Sequence, residues 1–257
     1  MTLQTTRINM LGRAKAVSIH FAVTLLIAGV AALLVFGLWY PYPYRTVSGG
    51  FELFLLVVGV DIVIGPLMTA VVFNPAKGWV QLRRDLWVIA LLQMACLLYG
   101  VYTVFVARPV YMVYEVDRFR VIAAADLDGK DLALAAEPYR RLPIRGPKLV
   151  GTRRSKPGPE QMESVLLALE GKDLGQRPAF YQDYQLSRDE VISRGRPLGV
   201  LFEKYPDRQG EIKAAIAASG KQENQLRYIP LVARRQWVAL VDAGTAEIVG
   251  FAPFDGF

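Results

Sequence analysis

Three stretches of the chain, residues 17–40, 51–73 and 86–107, are long, apolar and nearly free of charge, and they constrain the architecture more than any other feature. Each exceeds the roughly 20 residues a helix needs to cross a hydrocarbon core about 30 Å thick. Before its aromatic end the first run holds one titratable group, His20; the second holds Glu52 and Asp61; the third holds no charge. The first run is too long for the apolar segment of a cleaved leader, and it ends in Leu38-Trp39-Tyr40-Pro41 where a cleavage site needs small residues. It is therefore expected to stay as a membrane anchor.

Charge segregates in the same way. Of the 23 acidic residues, only Glu52, Asp61 and Asp85 precede position 108. The sequence thus divides into a cytoplasmic start (1–16), a three-helix membrane region (17–107) and a polar domain (108–257). The net charge of +7 is spread over both halves, which argues against a concentrated nucleic-acid-binding face.

Orientation follows from Lys and Arg. Arg7, Arg13 and Lys15 precede the first run, and Lys77, Arg83 and Arg84 lie between the second and third, whereas the first connection holds only Arg45. The N-terminus and the 74–85 loop are expected in the cytoplasm, and residues after Arg108 outside it. Trp39, Tyr40, Tyr42 and Tyr44 would form an aromatic belt at the outer interface.

Polar groups within the spans are the first candidates for function. Asp61 stands about ten residues into the second span, near mid-membrane. At 1.5 Å per residue, Tyr99 falls at its depth, Gln93 and Tyr102 lie within about two turns, and His20 sits about 13 Å shallower, too far to be a direct partner. Asp61 either bonds Tyr99 or backbone and locks the bundle, or meets a polar group on another protein's helix. Gly65-Pro66 should kink the second span and open a lateral groove.

Beyond Arg108-Pro109 the pattern alternates. Strands are expected at 110–116, 118–124, 227–233, 236–241 and 247–252, with a turn at Asp242-Ala243-Gly244-Thr245. Helices are expected at 160–169, where Met162, Val165, Leu166 and Leu169 share a face before Gly171, and at 207–219, before Gly220. Residues 138–159, rich in Pro, Gly and basic side chains, read as an exposed connection. These elements predict a small α+β domain on an antiparallel sheet.

Catalytic chemistry finds little footing. The polar domain has no His and no Cys, because His20 and Cys96 both lie in the membrane half. That removes Ser-His-Asp and Cys-His machinery and the usual zinc ligands. Asp126-Leu127-Asp128-Gly129 is only a fragment of a calcium loop. No enzyme, metal or cofactor is expected.

Several strings carry a resemblance: Arg13-Ala14-Lys15-Ala16 before Ser18-Ile19-His20, then Trp39-Tyr40-Pro41, Gly50-Phe51-Glu52-Leu53, Gly59-Val60-Asp61 with Gly65-Pro66-Leu67, Phe73-Asn74-Pro75, Tyr99-Gly100, Arg108-Pro109-Val110-Tyr111 and Tyr228-Ile229-Pro230-Leu231. By these the chain resembles the TfpX/TfpZ family of type IV pilin accessory proteins. The resemblance implies a non-catalytic chaperone or assembly factor in the bacterial inner membrane, with its C-terminal domain in the periplasm and a type IV major pilin as its partner. A bundle with a polar mid-membrane position and a kink could shelter a pilin helix, and on that physical reading Glu52, Asp61, Gly65, Pro66 and Tyr99 are expected to bind the partner. The competing readings are a ligand-binding membrane sensor, which would need a cytoplasmic output domain, and a membrane enzyme that modifies pilin.

Overall fold

The computed structural model describes residues 2–74 and 78–257, with side chains from Met10 onward. Pro75, Lys77 and the Arg7 side chain, used above for resemblance and orientation, lie outside that description. Contacts divide the chain into two compact units, one of residues 1–38 and 50–106 and one of residues 39–49 and 107–257.

The first unit is three helices. α1 (Thr2–Leu34) continues into a π-helical turn (Val35–Trp39); α3 (Gly50–Val72) and α4 (Trp79–Val106) follow, with the short α2 (Tyr44–Val47) belonging to the other unit. Three helical segments are long and apolar enough to cross a membrane: Met10–Trp39, Gly50–Val72 and Trp79–Val106. The helices outrun the apolar segments. Arg83, Arg84 and Asp85, expected in a loop, lie in the first two turns of α4, because Gln, Leu and Arg are good helix formers and charge does not stop a helix. α3 likewise continues through Pro66.

α3 packs against both α1 and α4. Its buried residues Phe54, Val58, Asp61, Gly65 and Thr69 recur every three or four positions, so they form one inward stripe. The approach to α4 depends on missing side chains. A Cβ on Gly100 would stand 2.2 Å from Val57 Cγ1, and one on Gly65 would stand 1.8 Å from Gln93 Nε2. Small residues let apolar helices pack where lipid supplies no hydrophobic drive.

The second unit is a seven-stranded sheet with helices. Its elements are β1 (Pro109–Glu115), β2 (Arg118–Ala123), α5 (Gly129–Leu134), β3 (Lys148–Thr152), α6 (Pro159–Leu169), β4 (Tyr181–Gln182), α7 (Arg188–Arg194), α8 (Gly199–Lys204), α9 (Gln209–Ala218), β5 (Leu226–Val232), β6 (Trp237–Asp242) and β7 (Ile248–Ala252). Strand order is β4-β3-β1-β2-β5-β6-β7. The sheet is mixed, which corrects the antiparallel expectation: β3 runs parallel to β1, and β5 parallel to β2. Both parallel pairs are closed by long connections that contain helices and other strands of the sheet, since parallel strands cannot be joined by a tight turn. The neighbouring hairpins are antiparallel.

β1 is buried along its whole length. Met112 and Tyr114 point into a core shared with Phe119, Ile229 and Leu231, while Tyr111 and Val113 point into a second core with Ile122 and Val150. A third cluster joins Leu198, Leu201 and Ile212 to Tyr228, Leu240 and Phe254. Residues 39–49 complete this unit. Val47 is fully buried in the first core, its carbonyl accepts from Arg235 N at 3.1 Å, and Tyr44 Oη donates to Met112 Sδ at 3.1 Å. Tyr44 therefore packs against the core of this domain, and burial pushes its hydroxyl up to about 12. The 138–159 segment is also more ordered than expected. It contributes β3, and Arg153 and Arg154 pair with Glu160 and Glu190.

Candidate functional site

The inward stripe of α3 places Asp61 among the few polar groups of the helical unit. Asp61 is 8% exposed, and its backbone carbonyl accepts a hydrogen bond from Gln93 Nε2 of α4 at 3.3 Å. The amide oxygen of the same Gln93 lies 2.6 Å from His20 Nε2 of α1, and His20 Nδ1 lies 2.6 Å from Thr69 Oγ1 of α3. One glutamine thus ties all three helices together. The geometry suits an imidazole that donates from Nε2 to the amide oxygen and accepts at Nδ1 from the threonine hydroxyl. Among the described residues the Asp61 carboxyl group has no hydrogen-bond partner.

That carboxyl group lines a cavity of about 140 Å³ with Val58 of α3, His20, Val23 and Thr24 of α1, and Gln93 and Met94 of α4. The space suits one or two side chains. Its walls are apolar except at Asp61, Thr24 and the His20–Gln93 pair.

The sequence-predicted residues separate on this frame. Asp61 and Gly65 share the inward stripe, and Pro66 is also buried. Gly65 is closed against the Gln93 amide. Glu52 lies in the first turn of α3, where a carboxylate is favoured by the helix dipole. Tyr99, expected at the depth of Asp61, is 74% exposed on another face of α4 and is not the partner of that carboxylate; depth along a helix does not fix the face. His20 does not touch Asp61 directly, as its depth implied, but reaches it through Gln93. Thr69 and Thr24 were missed. The signal available was their spacing, since Thr69 continues the stripe of Asp61 and Gly65, and Thr24 lies one turn from His20.

Elsewhere the acidic residues serve local structure. Asp126 Oδ2 accepts from Ala123 N, and Asp128 caps α5 by accepting from Lys130 N. Among the described residues no group of three or more His, Cys, Asp or Glu side chains is arranged to hold a metal ion.

Three helices long and apolar enough to cross a membrane, joined by a polar tie and followed by a domain on a mixed sheet, define the class: a three-helix bundle with one folded polar domain. The chain belongs to the fimbrial assembly protein family. "Fimbrial assembly protein, serogroup I" of Dichelobacter nodosus is 33% identical over 232 residues, covering 89% of this chain and 90% of the relative. "Fimbrial assembly protein, serogroup E1" of the same organism is 32% identical over the same shares, and "Fimbrial assembly protein, serogroups C1 and C2" is 39% identical over 114 residues, 44% of this chain and 87% of the relative. The family model described as "Fimbrial assembly protein FimB" matches residues 8–49, which run from α1 through the buried turn at Val47. No solved structure matches the chain.

Proposed function

We propose that this protein is a non-catalytic accessory factor of pilus assembly that shelters a type IV major pilin in the bacterial inner membrane before polymerisation. The names of its relatives support the pilus connection, and the resemblance to the TfpX/TfpZ family supports the pilin. In this reading the N-terminus is cytoplasmic and the C-terminal domain periplasmic, as the distribution of Lys and Arg implies.

The observation that carries the reading is Asp61, a residue 8% exposed that lines a cavity shared by all three helices and whose carboxyl group has no hydrogen-bond partner among the described residues. A buried polar group without a partner is costly. Where lipid surrounds it, an incoming polypeptide must itself be a helix, because its backbone has no water to bond. A pilin helix lying along α1 and α4 can insert a polar side chain at Asp61. Gly65 and Pro66 then act indirectly, by setting the helix backbone against which Gln93 is held. Glu52 and Tyr99 offer contacts outside the cavity.

Asp61→Asn and Asp61→Ala test the reading, since the absence of an internal partner leaves the bundle intact. Pilin abundance and surface piliation are expected to fall while the variant accumulates at the normal level. A photo-crosslinker at Val23 or Met94 is expected to join the protein to pilin, and to do so less in the Asp61→Ala background. Normal piliation with a folded Asp61→Ala protein removes this role.

A further inference from the structure

The C-terminal unit is joined to the three apolar helices at three points of the chain. Trp39 ends the first span, Gly49 precedes the second and Ala107 follows the third, and all three residues belong to the C-terminal unit. Successive crossings put these points at one face of a bilayer. One end of the sheet goes with them. β1 starts at Pro109, β3 starts parallel to it at Lys148, and β5, parallel to β2, finishes at the same end. Two loops of this end pack on the 39–49 segment. Arg235 N bonds Val47 O at 3.1 Å, and a Cβ on Gly49 would stand 2.6 Å from Arg234 Cδ. A Cβ on Gly146 would stand 3.2 Å from Pro41 Cγ, and Arg108 donates to Pro143 O at 3.4 Å.

These pieces are basic. Residues 39–49, 141–146 and 233–236 carry Arg45, Arg141, Arg145, Arg234 and Arg235, all exposed, and no acid. Among the described residues Arg45, Arg141, Arg145 and Arg234 form no ion pair. The bordering acids are Glu52 in the first turn of α3, Glu137, and Asp126, whose Oδ2 accepts from Ala123 N. The arginines outnumber them. Two other side chains stand among the arginines: Tyr42 is 63% and Ile144 66% exposed, and the Arg45 guanidinium lies 5.7 Å from the Tyr42 ring centre. Beside Arg234 is a cavity of about 270 Å³ that Asp126 and Ser48 also line. Ser48 Oγ is buried and has no hydrogen-bond partner among the described residues.

We propose that this end of the domain binds anionic phospholipid. Arg45, Arg141, Arg145 and Arg234 hold headgroup phosphates, and Tyr42 and Ile144 enter the headgroup layer. Chain connectivity selects the occupant: the loops pack on a segment whose two ends run into apolar helices, and a segment tethered in that way lies at the headgroups. Its composition agrees, since cations interleaved with tyrosine and aliphatic side chains suit a bilayer interface. A guanidinium fork matches phosphate oxygens bidentately, and Ser48 Oγ–H offers a further donor beside Arg234. The inference rests on the membrane placement in the proposed function, and it is independent of the pilin and of Asp61.

The test uses the full-length protein in nanodiscs of phosphatidylcholine, alone or mixed with phosphatidylglycerol. A fluorophore is attached at position 144 through Ile144→Cys in a Cys96→Ser background, and its quenching by spin-labelled lipid is measured. A second sample carries the fluorophore on the native Cys96 of α4, which is exposed. Cys96 is expected to be quenched in both bilayers. Quenching at position 144 is expected to rise about threefold with phosphatidylglycerol and to fall back as salt is added. Arg141→Gln/Arg145→Gln and Arg45→Gln/Arg234→Gln are each expected to remove most of that rise. Thermal unfolding of these variants should be unchanged, because the exposed arginines make no ion pair. With Cys96 quenched, equal quenching of position 144 in the two bilayers, or variants that behave as the parent, overturns the proposal alone. An unquenched Cys96 overturns the membrane placement and the proposal with it.

Discussion

His20 and Gln93, 73 positions apart, meet at 2.6 Å across α1 and α4, and the same glutamine reaches the Asp61 carbonyl with its other amide atom. The pair satisfies the imidazole and the amide inside an apolar bundle while leaving the neighbouring carboxyl group unengaged. Structural polar groups and the candidate docking group are thus adjacent but separable. Changes at Gln93 read out the bundle, and changes at Asp61 test the proposed docking.

Replacing Gln93 by Leu removes the bonds to His20 and Asp61 and leaves His20 Nε2 without its partner, while Nδ1 keeps Thr69. Interhelical hydrogen bonds in membranes contribute about 0.6 to 2 kcal/mol, and a stranded buried group adds to the loss. Gln93→Leu is expected to destabilise the helical unit by about 1–3 kcal/mol. Thermal unfolding in detergent micelles measures this, and an unchanged transition would show that the relay contributes nothing.

Gly65 is coupled to the same glutamine. An alanine there puts its Cβ where the Gln93 amide nitrogen sits, and the amide end must swing away. Gly65→Ala alone is expected to cost about 1–2 kcal/mol, whereas in a Gln93→Ala background the clash is gone and Ala gains helix propensity over Gly. A double-mutant cycle is expected to show a coupling of about 1–2 kcal/mol. Additive effects would mean that the two residues do not press on each other.

Much of this was legible in the sequence, and the failures share a cause. The apolar runs, the hairpins β1–β2 and β5–β6–β7, and the α6 and α9 helices are local patterns, visible because each is set by its own spacing and turn residues. The parallel pairing of β3 with β1 and of β5 with β2 is decided between segments far apart in sequence, and Pro and basic residues flanking 148–152 obscured the strand. Tyr99 was matched to Asp61 by depth, but which face of α4 looks inward depends on packing. That residues 39–49 complete the folded domain, with Val47 and Tyr44 packed on its core, is likewise set by tertiary contacts that no local pattern announces.

The segment between the first two helices accordingly has a testable structural role. Val47 is fully buried against the sheet, so Val47→Ala leaves a small cavity there. Large-to-small changes of this size cost about 1–3 kcal/mol. The loss is expected in the unfolding of the C-terminal unit, read from protection of residues 226–242 in hydrogen exchange. Protection unaltered in Val47→Ala would show that the 39–49 segment is a passive connection.

The last prediction concerns acid. Asp242 ends β6 and accepts hydrogen bonds from Gly244 N and Thr245 N, each at 2.9 Å, while Lys221 Nζ lies 2.9 Å from its other oxygen. The Lys221 ammonium, followed by the two backbone amides, holds the carboxyl group well below the usual carboxylate range. A carboxylate depressed in the folded state stabilises above its unfolded pKa, about 3.9, and that contribution disappears as pH falls toward the folded value. Stability of the β6–β7 turn is therefore expected to be flat in this contribution above about pH 5 and to decline below pH 4. Asp242→Asn cannot be re-ionised, so it is expected to be less stable than the parent at pH 7 and to approach it in acid. Tryptophan fluorescence during thermal unfolding, with Trp237 at the start of the same strand, follows the two proteins from pH 7 to pH 2. A stability gap that stays constant across that range would show that charge at Asp242 is not what secures the turn.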